Sequence, residues 1–160
     1  MSATISRNKA VAGTPNQDMR FVAFVLAGMY YGVEIGDVYG IYHGLPIIPT
    51  PDASPSLAGE VQLVDRRIPV VSLRRFAGLH DGQSAERGPE WIVIVENSKG
   101  PVGLVVDGVS EVVKLAPSNV VLSKEPAPGP VGGYVTAVAR HEDRPMYLPD
   151  FSRLLQDAVE

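Results

Sequence analysis

The sequence predicts a mostly β protein assembled from two small, similar units. An apolar segment at residues 21–26 precedes a second strand-like segment at residues 31–38, and the same order returns at residues 91–95 and 102–109. Repetition of this kind is typical of duplicated architectures. The 16 glycines and 14 prolines cut the chain into short pieces, which favours strands and turns over long helices.

The repetition extends over two further segments in each half. Residues 59–64 resemble residues 133–138, and each copy ends in an Arg-bearing segment, at residues 72–76 and 150–155. The alternative to duplication is that valine-rich strands resemble each other by chance. A duplicated chain would form two small β units, and the seam between them would be a place for a partner to bind.

The elements of the first copy follow from its apolar and turn residues. A continuous apolar run predicts a strand buried on both faces, and Val33 and Ile35 share one face of the next strand. Four prolines within residues 45–55 predict an irregular loop. Ser72 is the expected N-cap of a helical turn. The predicted strands are residues 21–26, 29–35, 38–42, 57–64 and 67–71, followed by the turn at residues 73–76.

The second copy follows a polar connector at residues 80–89. Asp107-Gly108 is the strongest tight-turn dipeptide of the chain, and Asp150 is the expected cap of the one long helix. That helix places its apolar side chains on one face. The predicted elements are strands at residues 91–95, 102–106, 110–115, 133–139 and 146–148, a loop at residues 117–132, and a helix at residues 151–158. With no alternation of strands and helices, barrels are favoured over a parallel sheet.

Composition excludes several classes of partner. The net charge of -4 argues against nucleic-acid binding, which needs a basic surface. No apolar stretch approaches the roughly 20 residues that span a bilayer, so no membrane insertion is expected. The absence of cysteine excludes disulfides and thiolate metal sites, and it is compatible with a reducing cytoplasm, which is the expected location.

The sequence contains no recognisable catalytic constellation. The histidines, His43, His80 and His141, occur in loop or turn contexts without metal-ligand spacing. Ser72 lacks the flanking glycines of a nucleophile elbow. We therefore expect no enzymatic activity, no cofactor and no metal.

Apolar residues recur instead at matching places in the two copies, at Ile35, Val38, Ile41, Val109 and Val112. Core packing accounts for most of them, but half-size β units bury only a limited apolar set. The remainder would line the seam, where an apolar groove would be a protein-docking site.

Residues 102–112, Val-Gly-Leu-Val-Val-Asp-Gly-Val-Ser-Glu-Val, resemble the signature strand-turn-strand of the CheW family of chemotaxis coupling proteins. The family is matched more loosely by residues 21–26, 31–35 and 59–74, and the whole likeness covers residues 20–156. It implies two five-stranded SH3-like barrels with a short C-terminal helix and a groove between the barrels. It also implies a non-catalytic adaptor that links methyl-accepting chemoreceptor tips to the regulatory domain of a CheA-type histidine kinase.

The resemblance also implies a domain division and two contact surfaces. Residues 1–19 are expected to be a disordered tail and residues 20–158 a CheW-like domain. The barrels would comprise about residues 27–88 and 89–158, with the strand near residues 20–26 a candidate for exchange between them. The implied receptor groove contains Val38, Ile41, Trp91, Val109 and Val112. The implied kinase contacts are Gly40, Gly59, Val61 and Leu63.

The sequence departs from the family pattern at three places. The family's Asn-Leu-Arg-Gly turn reads Gln-Leu-Val-Asp here, so Val64 replaces an arginine. Ser72 replaces an aspartate, and Gly40 replaces an acidic residue. These departures indicate a divergent adaptor, which could serve a non-flagellar pathway such as surface motility. A small-molecule-binding β-barrel regulator is the second hypothesis, and an enzyme is the least supported one.

Overall fold

The computed structural model describes residues 18–50, 54–79 and 90–159. Within them the chain forms eleven strands, two α-helices and three short 3₁₀ turns. The strands are β1 Met19–Leu26, β2 Met29–Glu34, β3 Val38–His43, β4 Leu57–Leu63, β5 Arg66–Ser72, β6 Trp91–Val95, β7 Val102–Val106, β8 Gly108–Leu115, β9 Val120–Leu122, β10 Val135–His141 and β11 Arg144–Pro149. The helices are α1 Leu73–Phe76 and α2 Phe151–Val159, and the 3₁₀ turns are Ile35–Asp37, Pro117–Asn119 and Gly132–Tyr134.

The strands form two sheets, which confirms the mostly β class with two sheet-based subdomains. Sheet A has the order β8-β1-β2-β11-β10-β9, and sheet B has the order β3-β6-β7-β5-β4. Sheet A has one strand more than the expected five because β9 forms within the predicted loop 117–132. A strand of three residues is too short to show alternation in the sequence.

The two halves of the chain exchange their hairpins. The β1–β2 hairpin lies in sheet A with the later strands β8 to β11, whereas the β6–β7 hairpin lies in sheet B with the earlier strands β3 to β5. In sheet A the β1–β2 hairpin lies between the outer strand β8 and the strand β11, which is parallel to β2. In sheet B the β6–β7 hairpin lies between the outer strand β3 and the strand β5, which is parallel to β7. The expected division at residues 88 and 89 does not coincide with sheet membership, because β2 joins sheet A together with the strand near residues 20–26, and β6 and β7 join sheet B.

The expected tail mostly lies outside the described residues. Of residues 1–19, the structure describes Asp18 and Met19, and Met19 already begins β1. The expected connector at residues 80–89 also lies outside the described part of the chain.

The repeat holds in the structure, but its register differs at one segment. Gly59 pairs with Val70 after a bulge, and Ala137 pairs with Leu148 after a matching bulge. Gly59 therefore corresponds to Ala137 and not to Gly133, which lies in a 3₁₀ turn before β10. The correspondence between the two copies follows from the tight turns that join the paired strands. The glycines at positions 59 and 133 therefore do not occupy equivalent places.

The ends of the two copies correspond as predicted. The Ser72 hydroxyl accepts a hydrogen bond from the backbone N–H of Arg75 at 3.3 Å, which caps α1. The Asp150 carboxylate accepts one from the backbone N–H of Arg153 at 3.3 Å, at the start of α2. Both are N-cap contacts that satisfy donors of the first helical turn.

Three hydrophobic clusters hold the fold together. One fills the interior of the sheet A barrel and contains Phe21, Ala23, Val113 and Met146. A second fills the sheet B barrel with Val61, Ile68, Val70, Ile92 and Ile94. The largest lies between the sheets and is called the seam core; it includes Val22, Phe24, Val93, Val95, Leu104, Leu154 and Leu155. The seam is therefore closed by close-packed side chains from both sheets and from α2.

The chain crosses from sheet B to sheet A at Asp107. The sequence predicts a tight turn at Asp107-Gly108, but β7 and β8 lie in different sheets, so no hairpin forms there. The Asp107 carboxylate instead accepts the Ala27 backbone N–H at 2.8 Å and two hydrogen bonds from Arg74, both at 2.8 Å. Its own N–H donates to the Val25 carbonyl at 2.9 Å. The Asp107 side chain thus connects the β1–β2 turn and α1 to the point where the chain passes from sheet B to sheet A.

Gly59 is required by a close backbone approach. It has a φ of +146°, and a Cβ at this position would lie 2.2 Å from the Ile48 carbonyl oxygen. The backbone of Ile48 pairs with that of Glu60 at this point, at 2.7 and 2.8 Å. Any side chain would break this bridge, which explains the glycine by packing alone.

Replacing Asp107 should lower the stability of the whole protein. In Asp107→Ala, the Arg74 guanidinium and the Ala27 N–H lose their acceptor, so we expect the free energy of unfolding to fall by about 2 kcal/mol. Asp107→Asn, which can still accept from Ala27, should lose less. Urea unfolding followed by Trp91 fluorescence measures the change. Asp65→Ala, an exposed control, should stay within about 0.5 kcal/mol of wild type; an equal loss in both would contradict this role of Asp107.

Candidate functional site

The outer strands β3 and β8 carry the predicted groove residues. β3 is the outer strand of sheet B and pairs with β6, and β8 is the outer strand of sheet A and pairs with β1. Each has a bulge, after Val38 in β3 and after Val109 in β8. The two valines therefore occupy equivalent positions, as the sequence repeat predicts, and both pack against the seam core.

Beyond each bulge lies an exposed apolar residue. Ile41 is 38% exposed and Val112 is 53% exposed. Ile41 lies opposite Val93, and Val112 lies opposite Val22. Directly opposed residues share a face of the sheet, and both partners belong to the seam core. Ile41 and Val112 therefore form exposed extensions of that core on the two outer strands.

The side chain of Trp91 stacks against that of His43, which the sequence predicts to lie in a loop or turn. The rings of His43 and Trp91 stack with centroids 4.1 Å apart and planes 4° apart, and Trp91 also packs against the seam core. His43 ends a strand and does not lie in a loop as expected. Its place directly opposite Trp91 could have been found only from the register of β3 against β6.

His141 also ends a strand, and it pairs with acidic groups. Its Nε2 lies 3.0 Å from Glu111 and 3.7 Å from Glu142, and Glu111 also accepts a hydrogen bond from the Tyr30 hydroxyl at 3.3 Å. The three groups lie close enough to hold a cation. Both carboxylates are exposed, and their contacts with His141 account for the grouping. The third histidine, His80, lies outside the described residues.

The predicted kinase contacts do not form one accessible surface. Val61 is 0% exposed inside the sheet B barrel, and Gly59 is buried. Leu63 packs partly buried on the same barrel core, and Gly40 is half-buried in β3. Alternation along β4 explains the outcome, since residues two apart point to the same side and this side is the interior. Gly59 and Val61 therefore have structural roles in the interior of the barrel and do not present side chains to a partner.

Val64 is the most exposed hydrophobic residue in the described part of the chain. It is 98% exposed at the tip of the β4–β5 hairpin and has a φ of 53°, which is unusual for a β-branched residue. This is the position at which the resemblance implies an arginine. The nearby Arg67 lies 3.5 Å from Glu60 on the outer face of the same hairpin.

Tyr39 occupies the bulge of β3 and is 55% exposed. A hydrogen bond to the Glu96 carboxylate raises the pKa of the Tyr39 phenol above its ordinary value. The phenol thus donates a hydrogen bond to Glu96 two residues before the exposed Ile41.

Within the described residues, no helix combines the length and the apolarity that crossing a membrane requires.

Comparison with known proteins assigns the chain to a family. The model of the CheW-like domain matches residues 20–159. The chemotaxis protein CheW of Klebsiella aerogenes is 30% identical over 158 residues, covering 96% of this chain and 89% of its own length. The chemotaxis protein CheW of Treponema pallidum (strain Nichols) is 23% identical over 156 residues, covering 94% and 90%.

The fold agrees with a solved structure. The crystal structure of the scaffolding protein TtCheW from Thermoanaerobacter tengcongensis matches with a TM-score of 0.76 and 25% identity, over 86% of this chain and 92% of that chain. Proteins of this family are non-catalytic scaffolds and adaptors, which confirms the expectation that this protein is not an enzyme. With the family model matching from β1 to the end of α2, the chain belongs to the CheW-like family, as a divergent member with a scaffold role in chemotaxis signalling.

Proposed function

We propose that this protein couples methyl-accepting chemoreceptor tips to the regulatory domain of a CheA-type histidine kinase in the cytoplasm. The observation that carries the proposal is the pair of exposed apolar residues at equivalent positions of β3 and β8, Ile41 and Val112. Both residues lie next to the seam core and are exposed, so a partner that covers them would bury apolar surface that is continuous with this core.

The receptor tip is proposed to bind along these outer strands. A helical hairpin can place an apolar stripe against Ile41 and Val112, with the half-buried Val38, Val109 and Trp91 behind them. Transient interfaces of this kind bury less than about 1,200 Å² and are individually weak. Many adaptors in one array would raise the effective concentration and so supply the stability.

The kinase is proposed to bind at the β4–β5 hairpin of sheet B. The interior positions Gly59 and Val61 cannot contribute side chains, so the contact would centre on the exposed Val64 and the half-buried Leu63 of this hairpin, and the half-buried Gly40 would contribute separately from β3. A small apolar patch of this kind suits a β-rich barrel as partner.

The departures from the family pattern favour a divergent set of partners. Val64 and Gly40 replace charged residues at positions that the resemblance associates with signalling contacts. A receptor and kinase of a non-flagellar pathway, such as surface motility, would fit this change. The small-molecule β-barrel hypothesis is disfavoured, because side chains of the hydrophobic clusters fill both barrels and the seam.

The receptor proposal predicts that Ile41→Asp and Val112→Asp each weaken receptor binding by tenfold or more, because a carboxylate would be buried without a partner, at a cost above about 1.4 kcal/mol. Pull-down with a receptor signalling fragment measures the loss. Both positions are exposed, so the fold should persist in circular dichroism. Val121→Asp, at the 64% exposed valine of β9 on the opposite edge of sheet A, is the matched control. Unchanged binding in the two folded variants would contradict the proposed groove.

The kinase proposal predicts that Val64→Asp weakens binding to the kinase regulatory domain and leaves receptor binding intact. Aspartate adopts a positive φ more readily than valine, so the variant should be at least as stable as wild type. Titration of the isolated kinase domain measures the affinity, with Val121→Asp as control. Equal kinase affinity for wild type and Val64→Asp would remove the hairpin tip from the proposed interface.

A further inference from the structure

A cationic cleft lies on sheet B between three elements. The start of β5 lines it with Arg66 and Arg67, and the β6–β7 loop lines it with Asn97 and Lys99. The helix α2 contributes side chains from its outward-facing turns, including that of Gln156. The volume of the cleft is about 470 Å³, which lies within the range of small-molecule sites, roughly 300–1,000 Å³.

The charge of the cleft contrasts with that of the protein. Three cations line it and no carboxylate does, although the whole chain has a net charge of -4. Arg67 has only a long, exposed contact of 3.5 Å with Glu60. Within the described part of the chain, neither Arg66 nor Lys99 forms an ion pair. The cleft therefore has a positive charge that its own residues do not neutralise.

The donors suit a phosphate group. Planar guanidinium groups bind phosphate oxygens in pairs, and an ammonium group adds a point charge. Asn97 Oδ1 accepts the Ser98 backbone N–H at 2.8 Å, so the Asn97 amide nitrogen remains the group that can donate into the cleft. A fixed loop of this kind holds a polar donor in place without a ligand.

Part of the remaining lining is apolar and gives the cleft a second character. Pro69 lines it from β5, Pro101 lines it from the β6–β7 loop, and Leu155 lines it from α2. Leu155 belongs to the seam core and is fully buried, so this part of the wall is rigid. Apolar walls with a few convergent polar groups are typical of sites for small organic ligands.

We propose that this cleft binds a small organic phosphate of nucleotide size, with Arg66, Arg67 and Lys99 on its phosphates and the proline and leucine side chains against its organic part. The cleft adjoins the β4–β5 hairpin, and its Arg66 interacts electrostatically with Tyr39 of β3, but binding of a phosphate there needs neither receptor nor kinase. Its test is therefore independent of the proposed coupling function.

Isothermal titration of the full-length protein with ATP, tripolyphosphate and citrate, at low and at high salt, tests the proposal. ATP and tripolyphosphate should bind at low salt and weaken as salt rises, because the attraction is screened. ATP should bind more tightly than tripolyphosphate because it also contacts the apolar wall. Binding of citrate without ATP, or no binding of either phosphate at low salt, would overturn the proposal.

Variants assign the binding to the cleft. Arg67→Ala and Lys99→Ala should each weaken ATP binding by about tenfold, since each removes a charged hydrogen-bond donor. Arg67→Lys should fall between Arg67→Ala and wild type, because it keeps the charge and loses the planar fork. Arg140→Ala, at an exposed cation of β10 outside the cleft, should bind as wild type does. Equal affinities in wild type, Arg67→Ala and Lys99→Ala, or an equal loss in Arg140→Ala, would show that any binding is non-specific charge attraction.

Discussion

The fold is organised around the point where the chain crosses between its two sheets, at Asp107. β7 belongs to sheet B and β8 to sheet A, so the chain passes from one barrel to the other within a single residue. The Asp107 carboxylate holds this passage by binding Arg74 of α1 and the backbone of Ala27 in the β1–β2 turn. These contacts join the exchanged hairpin to the strands that receive it, and the seam core forms between them.

The same arrangement accounts for the candidate docking surface. Exchange of hairpins makes β3 and β8 the outer strands of their sheets, each beside a foreign strand that contributes to the seam core. The core is wide enough to cover Val38 and Val109 in part, but it ends before Ile41 and Val112. Exposed apolar surface is thus a consequence of where the shared core stops, and such surface on a scaffold protein is where a partner gains most from burial.

Local features of the fold were predictable from the sequence, whereas pairings between distant strands were not. The repeat, the caps at Ser72 and Asp150, and the equivalence of Val38 with Val109 follow from residue order and local chemistry. The hairpin exchange does not, because alternation tells which face of a strand is buried but not which strand lies beside it. Val61 was assigned to a contact surface by the family resemblance, although the buried face of β4 includes it. The stacking of His43 on Trp91 depends on a ladder that only the structure provides.

Neither half of the chain contains a complete barrel, because each half supplies a hairpin to the sheet of the other. The most direct test of this exchange is to produce residues 1–89 and 90–160 as separate fragments and to record circular dichroism and NMR spectra of each alone and of the mixture. Each fragment alone should lack the dispersed spectrum of a folded β protein, and mixing the two should restore it. A fragment that folds by itself with native-like dispersion would contradict the exchange.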